Sequence, residues 1–220
     1  MEYAALVLTG ALAGMVASLG GLGSLVTYPS LLAFGLPPIN ANVTNTTALT
    51  SLLASSLAGG RDQLVGLRRR LYVLGVLALI GGGVGATLLL WLPSAVFESV
   101  VPWLIAFGSV MVLARDRIRA YVDRMTDRRG VSRSRRVGRV SLAVAVLATA
   151  IYCGYFGAAA GVIMYAVLAL HYDEDHAVSN AVRVVLTGIA NVVAAAIFIA
   201  TAPISWGAVL ALSAGLVPGS

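Results

Sequence analysis

The residues best placed to do chemistry in this sequence are glycines, hydroxyl residues, asparagines and one arginine, all set within apolar stretches. Gly20, Gly21, Gly23 and Ser24 interrupt the first stretch, and Gly154, Gly157 and Gly161 interrupt a later one. A helix broken in this way frees backbone amides at the start of its second half. Those amides, together with the positive end of the helix dipole, attract an anion. After each break comes a segment with a polar start: Asn42, Thr44, Asn45, Thr46 and Thr47 in one case, Ser179 and Asn180 in the other. Their neutral donors could replace part of an anion's water shell. Arg183 follows within the second of these segments, where a planar guanidinium suits a sulfonate or carboxylate. A second reading stands beside each of these. The glycines could serve close helix packing, the Asn, Thr and Ser residues could cap helices, and Arg183 could snorkel to the membrane interface.

The elements that must position these residues follow from composition. The chain is 59% hydrophobic and only 11% charged, with a mean hydropathy of +0.92, and a water-soluble core cannot hide that much apolar surface. Spans are expected at 3 to 35, 44 to 60, 71 to 92, 98 to 114, 140 to 170, 177 to 200 and 204 to 217. The expected fold is all-α and polytopic, with about seven crossings. Met1-Glu2-Tyr3 has no basic region ahead of the first span, so that span is read as retained and not as a cleaved signal.

Charge gives the orientation. All 15 basic residues are arginine, and ten of them lie between Arg115 and Arg139, opposed there only by Asp116, Asp123 and Asp127. A second group, Arg61, Arg68, Arg69 and Arg70, fills another interhelical loop. Both loops are expected on the cytoplasmic side of the cell membrane, against anionic lipid headgroups. The alternation of crossings then puts the 35 to 43 turn and the acidic turn His171-Tyr172-Asp173-Glu174-Asp175-His176 outside. The net charge of +6 therefore reflects topology and does not signal nucleic acid. The partners expected are the bilayer and a small anion, and a homo-oligomer is compatible with the sequence.

The chain repeats itself. Gly20-x-x-Gly23 recurs as Gly154-x-x-Gly157, and Val43-Thr44-Asn45 as Val178-Ser179-Asn180. This divides it into a first repeat over 1 to 114, a basic loop over 115 to 139 and a second repeat over 140 to 220. Simple crossings would make the repeats parallel, whereas re-entrant hairpins could make them inverted. At the same offset, Ser220 corresponds to a point midway through the third helix of the first repeat, so the second repeat is expected to be C-terminally incomplete.

Several chemistries find no support. No Asp or Glu falls in the middle of an apolar segment, which argues against a carboxylate relay. Cys153 is alone, with no disulfide partner and no metal-ligand spacing, and no cofactor is expected. His171 and His176 could carry protons at a mouth, although a solvated turn explains them as well. An intramembrane hydrolase built on Ser24 lacks a base nearby, and a non-transporting scaffold would need no paired breaks.

The motif Gly20-Gly21-Leu22-Gly23-Ser24, with Pro29, Leu31-Leu32, Gly35 and Ala41-x-x-Thr44, resembles the first signature region of the sulfite exporter TauE/SafE family of membrane permeases. Gly154-Tyr155-Phe156-Gly157-Ala158-Ala159-Ala160-Gly161, Asn180 and Gly188-Ile189-Ala190-Asn191 are similar to the second. The resemblance implies a fold of about eight membrane helices and transport of sulfite, sulfonates or related organic anions. Ser24 stands where a third glycine is common in that family.

Overall fold

The computed structural model describes residues 2–20, 22–53, 64–114, 116–118, 120–121, 135–172 and 175–219. Gly21, Arg61, most of the basic loop, and Asp173 and Glu174 of the acidic turn lie outside them. The first half holds α1 (Glu2–Gly20), α2 (Ser24–Ala33), α3 (Pro38–Leu49), α4 (Arg68–Trp91) and α5 (Ser94–Leu113). The second holds α6 (Arg135–Tyr155), α7 (Ala160–His171), α8 (His176–Thr201) and α9 (Trp206–Gly219). α4, α5, the part of α6 from Gly138 and α8 are long and apolar enough to cross a membrane, and α1, α2, α7 and α9 contain shorter apolar helices. α3 starts furthest from its expected position. Pro38 sits at its N-terminus, where a fixed φ and a missing N–H cost nothing, so the helix begins six residues before Thr44.

Both glycine-broken segments fold back on themselves. The rings of Tyr3, at the start of α1, and Phe34, just past α2, lie 5.5 Å apart. A straight helix from one to the other would separate them by roughly 45 Å. In the second half, Ser141 Oγ near the start of α6 lies 2.9 Å from His171 Nε2 at the end of α7. The seven apolar segments are thus two helical hairpins, α1–α2 and α6–α7, and five single segments.

Re-entry decides the relation between the halves. Three single segments, α3, α4 and α5, separate the hairpins, so the hairpins enter from opposite ends of the bundle. Gly207, at the start of α9, abuts the ring of Tyr3, so α9 starts at the end where α1 starts. Arg70, at the start of α4, lies 3.3 Å over the ring of Tyr172, beside the end of α7. The repeats are inverted. The acidic turn must therefore be moved: His171, Tyr172, Asp175 and His176 lie at the arginine end, with the start of α4, because the chain turns back at Phe156–Ala159 instead of crossing. The turn before α3 lies at the opposite end.

Packing exchanges partners between the halves. α1 lies along α9 and α4 along α6, so the first helix of each half packs on the fourth helix of the other. Small residues permit the contact. A Cβ on Gly215 or Gly219 would strike the α1 backbone near Val7 and Ala11, and one on Gly81 or Gly85 would strike α6 at Leu147 and Ile151. These two glycine pairs are 134 residues apart, the spacing of the sequence repeat. One core joins α1, α2, α3 and α9 with the far ends of α4 and α8, and a second joins α4, α6, α7 and α8.

Candidate functional site

The breaks are short and differ in construction. In the first, α1 ends at Gly20 and α2 starts at Ser24, with Gly23 and Ser24 buried. The N–H groups of Val26 and Thr27 both donate to the Gly23 carbonyl at 3.0 Å, closing the first turn of α2. In the second, the chain turns through Gly157 at φ +74° and Ala159 at φ +58° before α7 begins. Positive φ suits glycine at the first of these and is strained at the second. Gly154 and Gly161 lie inside helices, in α6 and α7, and not in the break itself.

Gly154 has a packing role. A Cβ there would run into the carbonyl of Gly82 on α4, and a Cβ on Gly14 would meet the carbonyl of Leu216 on α9 in the same way. Gly82 and Leu216 are again 134 residues apart, which makes Gly14 the structural counterpart of Gly154. Sequence spacing alone pairs Gly154 with Gly20.

The two breaks meet inside the bundle. Leu22 packs with Ala159 and Val162, and both Leu25 and Ala158 approach Gly108 of α5. Because the halves are inverted, the first turns of α2 and α7 start from this common region and run to opposite ends. Helix starts leave N–H groups without intrahelical acceptors, so two electropositive termini share one buried zone.

The polar residues flank this zone in two places. On α3, Asn42, Thr44, Asn45, Thr46 and Thr47 are all buried. The Thr27 hydroxyl of α2 is shared between the Gly23 carbonyl, 3.0 Å away, and Asn45 Oδ1. Asn42 Nδ2 donates to the Tyr155 carbonyl at the tip of the other hairpin at 2.9 Å, and Thr44 Oγ1 accepts from the Ser205 N–H at 3.3 Å. Asn42 Oδ1 and Asn45 Nδ2 are buried without partners. None of these residues caps α3, whose N-cap is Pro37. Thr27 escapes sequence reading because a lone threonine in an apolar helix carries no motif. Its one signal is the four-residue spacing from Gly23, which lets the hydroxyl bond back to that carbonyl.

On α8, Ser179 is 1% exposed and Arg183 3% exposed. They are four residues apart and share one face. Ser179 Oγ and Arg183 Nε have no hydrogen-bond partner. Asp175 supplies the cap of α8, accepting from the Ala177 N–H at 3.4 Å. Arg183 lies within electrostatic range of Tyr165 on α7, whose hydroxyl is 2.5 Å from His176 Nδ1. Only 3% of the Arg183 residue surface is exposed, and Nε is shielded altogether. Asn180 is exposed on the outer surface of α8, so the buried counterpart of Asn45 is Ser179.

The two polar clusters do not merge. The Leu53 side chain abuts Gly188, which fixes how α3 and the antiparallel α8 overlap. Asn45 precedes Leu53 by eight residues and Arg183 precedes Gly188 by five, placing them roughly 20 Å apart along the axis. Asn45, Asn180 and Arg183 therefore do not line a single point. The site is a pair of clusters on either side of the meeting breaks: a neutral one at Thr27, Asn42, Thr44 and Asn45, and a cationic one at Ser179 and Arg183. Among the described residues no group of three or more His, Cys, Asp or Glu could hold a metal.

A family model described as "Sulfite exporter TauE/SafE" matches residues 6–220. A protein of Haemophilus influenzae called "Probable membrane transporter protein" is 27% identical over 215 residues, covering 96% of this chain and 79% of that protein. No solved structure matches the chain.

Proposed function

The chain belongs to the sulfite exporter TauE/SafE family and is a membrane transporter, and on that premise we propose that it carries small organic or sulfur-containing anions, such as sulfite or sulfonates, across the cell membrane. The observation that supports this most is Arg183. A guanidinium with 3% exposure, on a helix long enough to span a membrane, is costly unless something neutralises it. No carboxylate among the described residues is buried to do so, and an anionic substrate supplies the missing charge. The broken helices support the same reading, since non-helical backbone at membrane depth persists where it is buried or lines a cavity.

In the mechanism we infer, the anion exchanges water for the positive ends of the α2 and α7 helix dipoles and moves between the neutral and the cationic cluster. Each cluster borders one hairpin, and each hairpin opens toward one end of the bundle. Rocking of one hairpin with its packed helices against the other would expose the clusters alternately. The moving bodies mix the sequence halves, because α1 travels with α9 and α6 with α4. We assign the arginine end to the cytoplasm on the positive-inside rule, where the basic loop faces anionic lipid.

The test is uptake of radiolabelled sulfite, at a mildly acidic pH that keeps it singly charged, of methanesulfonate and of a plain carboxylate into proteoliposomes, with Arg183→Ala alongside. Saturable flux of a sulfur anion that collapses in a folded Arg183→Ala protein is the expected result. Absence of flux for every anion would overturn the proposal.

A further inference from the structure

The charge carried in the interior points to the valence of the substrate. Arg183 is the only charged residue among the buried described residues, and no acid among them offsets it. Its guanidinium makes no hydrogen bond or ion pair within the described residues, and Nε is fully shielded. One helical turn earlier on the same face, Ser179 Oγ is equally shielded and equally without a partner. Two enclosed donors about 6 Å apart along one helix face call for a ligand with at least two acceptor atoms. An oxyanion offers each donor its own directional lone pairs, which a spherical ion lacks.

We propose that this cluster is selective for compact oxyanions carrying one negative charge, and that it discriminates against dianions. The inference rests on the anion-transport reading and adds substrate valence to it. One negative charge cancels Arg183 and leaves an almost neutral interior. A dianion leaves a net negative charge in a low-dielectric region, with only the partial charges of two helix termini to offset it. One oxygen of the ligand takes the guanidinium in a charge-assisted bond and another takes the Ser179 hydroxyl.

The experiment is competition against transported substrate in proteoliposomes, using pairs matched in skeleton and differing in charge: methanesulfonate against methanedisulfonate, and acetate against malonate at a pH where malonate is doubly ionised. Chloride is the monovalent control with a single acceptor. The expected result is inhibition by each monoanion at concentrations at least about tenfold below its dianion, with chloride weaker than methanesulfonate. Ser179→Ala should weaken methanesulfonate several-fold and leave chloride unchanged, and it adds no bulk that would endanger folding. Arg183→Lys should keep the preference for single charge at lower affinity, because it keeps the charge and loses the planar fork. Dianions that compete as well as or better than monoanions, in a protein that transports anions, would overturn the valence assignment alone. Equal competition by chloride and methanesulfonate would overturn the two-donor geometry. Failure of any anion to be transported would overturn the underlying reading as well.

Discussion

If α6 and α7 form a hairpin, cysteines placed at positions 141 and 171 must be close in space. Ser141 and His171 are 30 residues apart in sequence. A continuous or merely kinked helix would put them on opposite sides of the bilayer, roughly 45 Å apart at 1.5 Å per residue. In the hairpin their side-chain tips are 2.9 Å apart, within reach of a short bismaleimide. The assay is made in a Cys153→Ser background, since the native Cys153 is buried, and the cross-linked protein is denatured and cleaved chemically after Met164, the one methionine between the two positions. The fragments on either side of Met164 should migrate as one band in cross-linked Ser141→Cys, His171→Cys protein, and as two in either single cysteine variant. The pair Ser141→Cys with Ser205→Cys, which flanks the cleavage point but sits at opposite ends of the bundle, is the negative control. If the 141–171 pair yields two fragments under conditions that cross-link a known neighbouring pair, the hairpin falls, and with it the inverted relation between the halves and the placing of the acidic turn at the arginine end.

Further outcomes follow from single residues. Gly154→Leu should abolish recovery of folded protein or lower its thermal midpoint sharply, because the added Cβ meets the Gly82 backbone; the cost is expected at about 3 kcal/mol or more, read by detergent thermostability. Gly157→Ala and Ala159→Gly should shift stability in opposite directions, each by about 1 kcal/mol, since both positions hold positive φ; equal shifts in the same direction would argue against the tight turn. Asn180→Ala, on the exposed face of α8, should change stability by no more than about 0.5 kcal/mol and leave flux unchanged. Thr27→Val should lower flux and stability together, since it removes the hydroxyl that Asn45 Oδ1 accepts from and leaves more of a buried amide without a partner.

The segments were legible in the sequence because apolar length and arginine position respond to the bilayer directly. Four of the nine helices, α1, α4, α8 and α9, start within three residues of the expected apolar segments, close to the usual scatter of helix ends. Whether a long broken segment crosses or returns was not legible. A glycine-rich turn permits either course, and only a contact between distant residues, such as Tyr3 with Phe34, selects one. The same limit applies at the site. Thr44, Asn45, Ser179 and Arg183 stand out by type, but Asn180 differs from Ser179 only in the side of α8 it occupies, and that side is set by packing against α3, α4 and α7. Gly20 and Gly154 match in spacing, while the pairing of Gly154 with Gly14 emerges only from the interhelical contacts. Pro37-Pro38 did carry a readable start signal for α3, which the polar run after it obscured.

The partner exchange between α1 and α9 also sets an order of assembly. Gly10 and Gly215 close on one another across about 200 residues of chain, so the glycine face of α1 waits, uncovered, while the rest of the protein is synthesised. It can be sealed only when the segment after Thr201 has entered the membrane. The first helix made and the last helix described act as a clasp: a ribosome that stalls before residue 206 leaves an N-terminal hairpin with its packing face open, a form that membrane quality control could recognise and remove before it leaks.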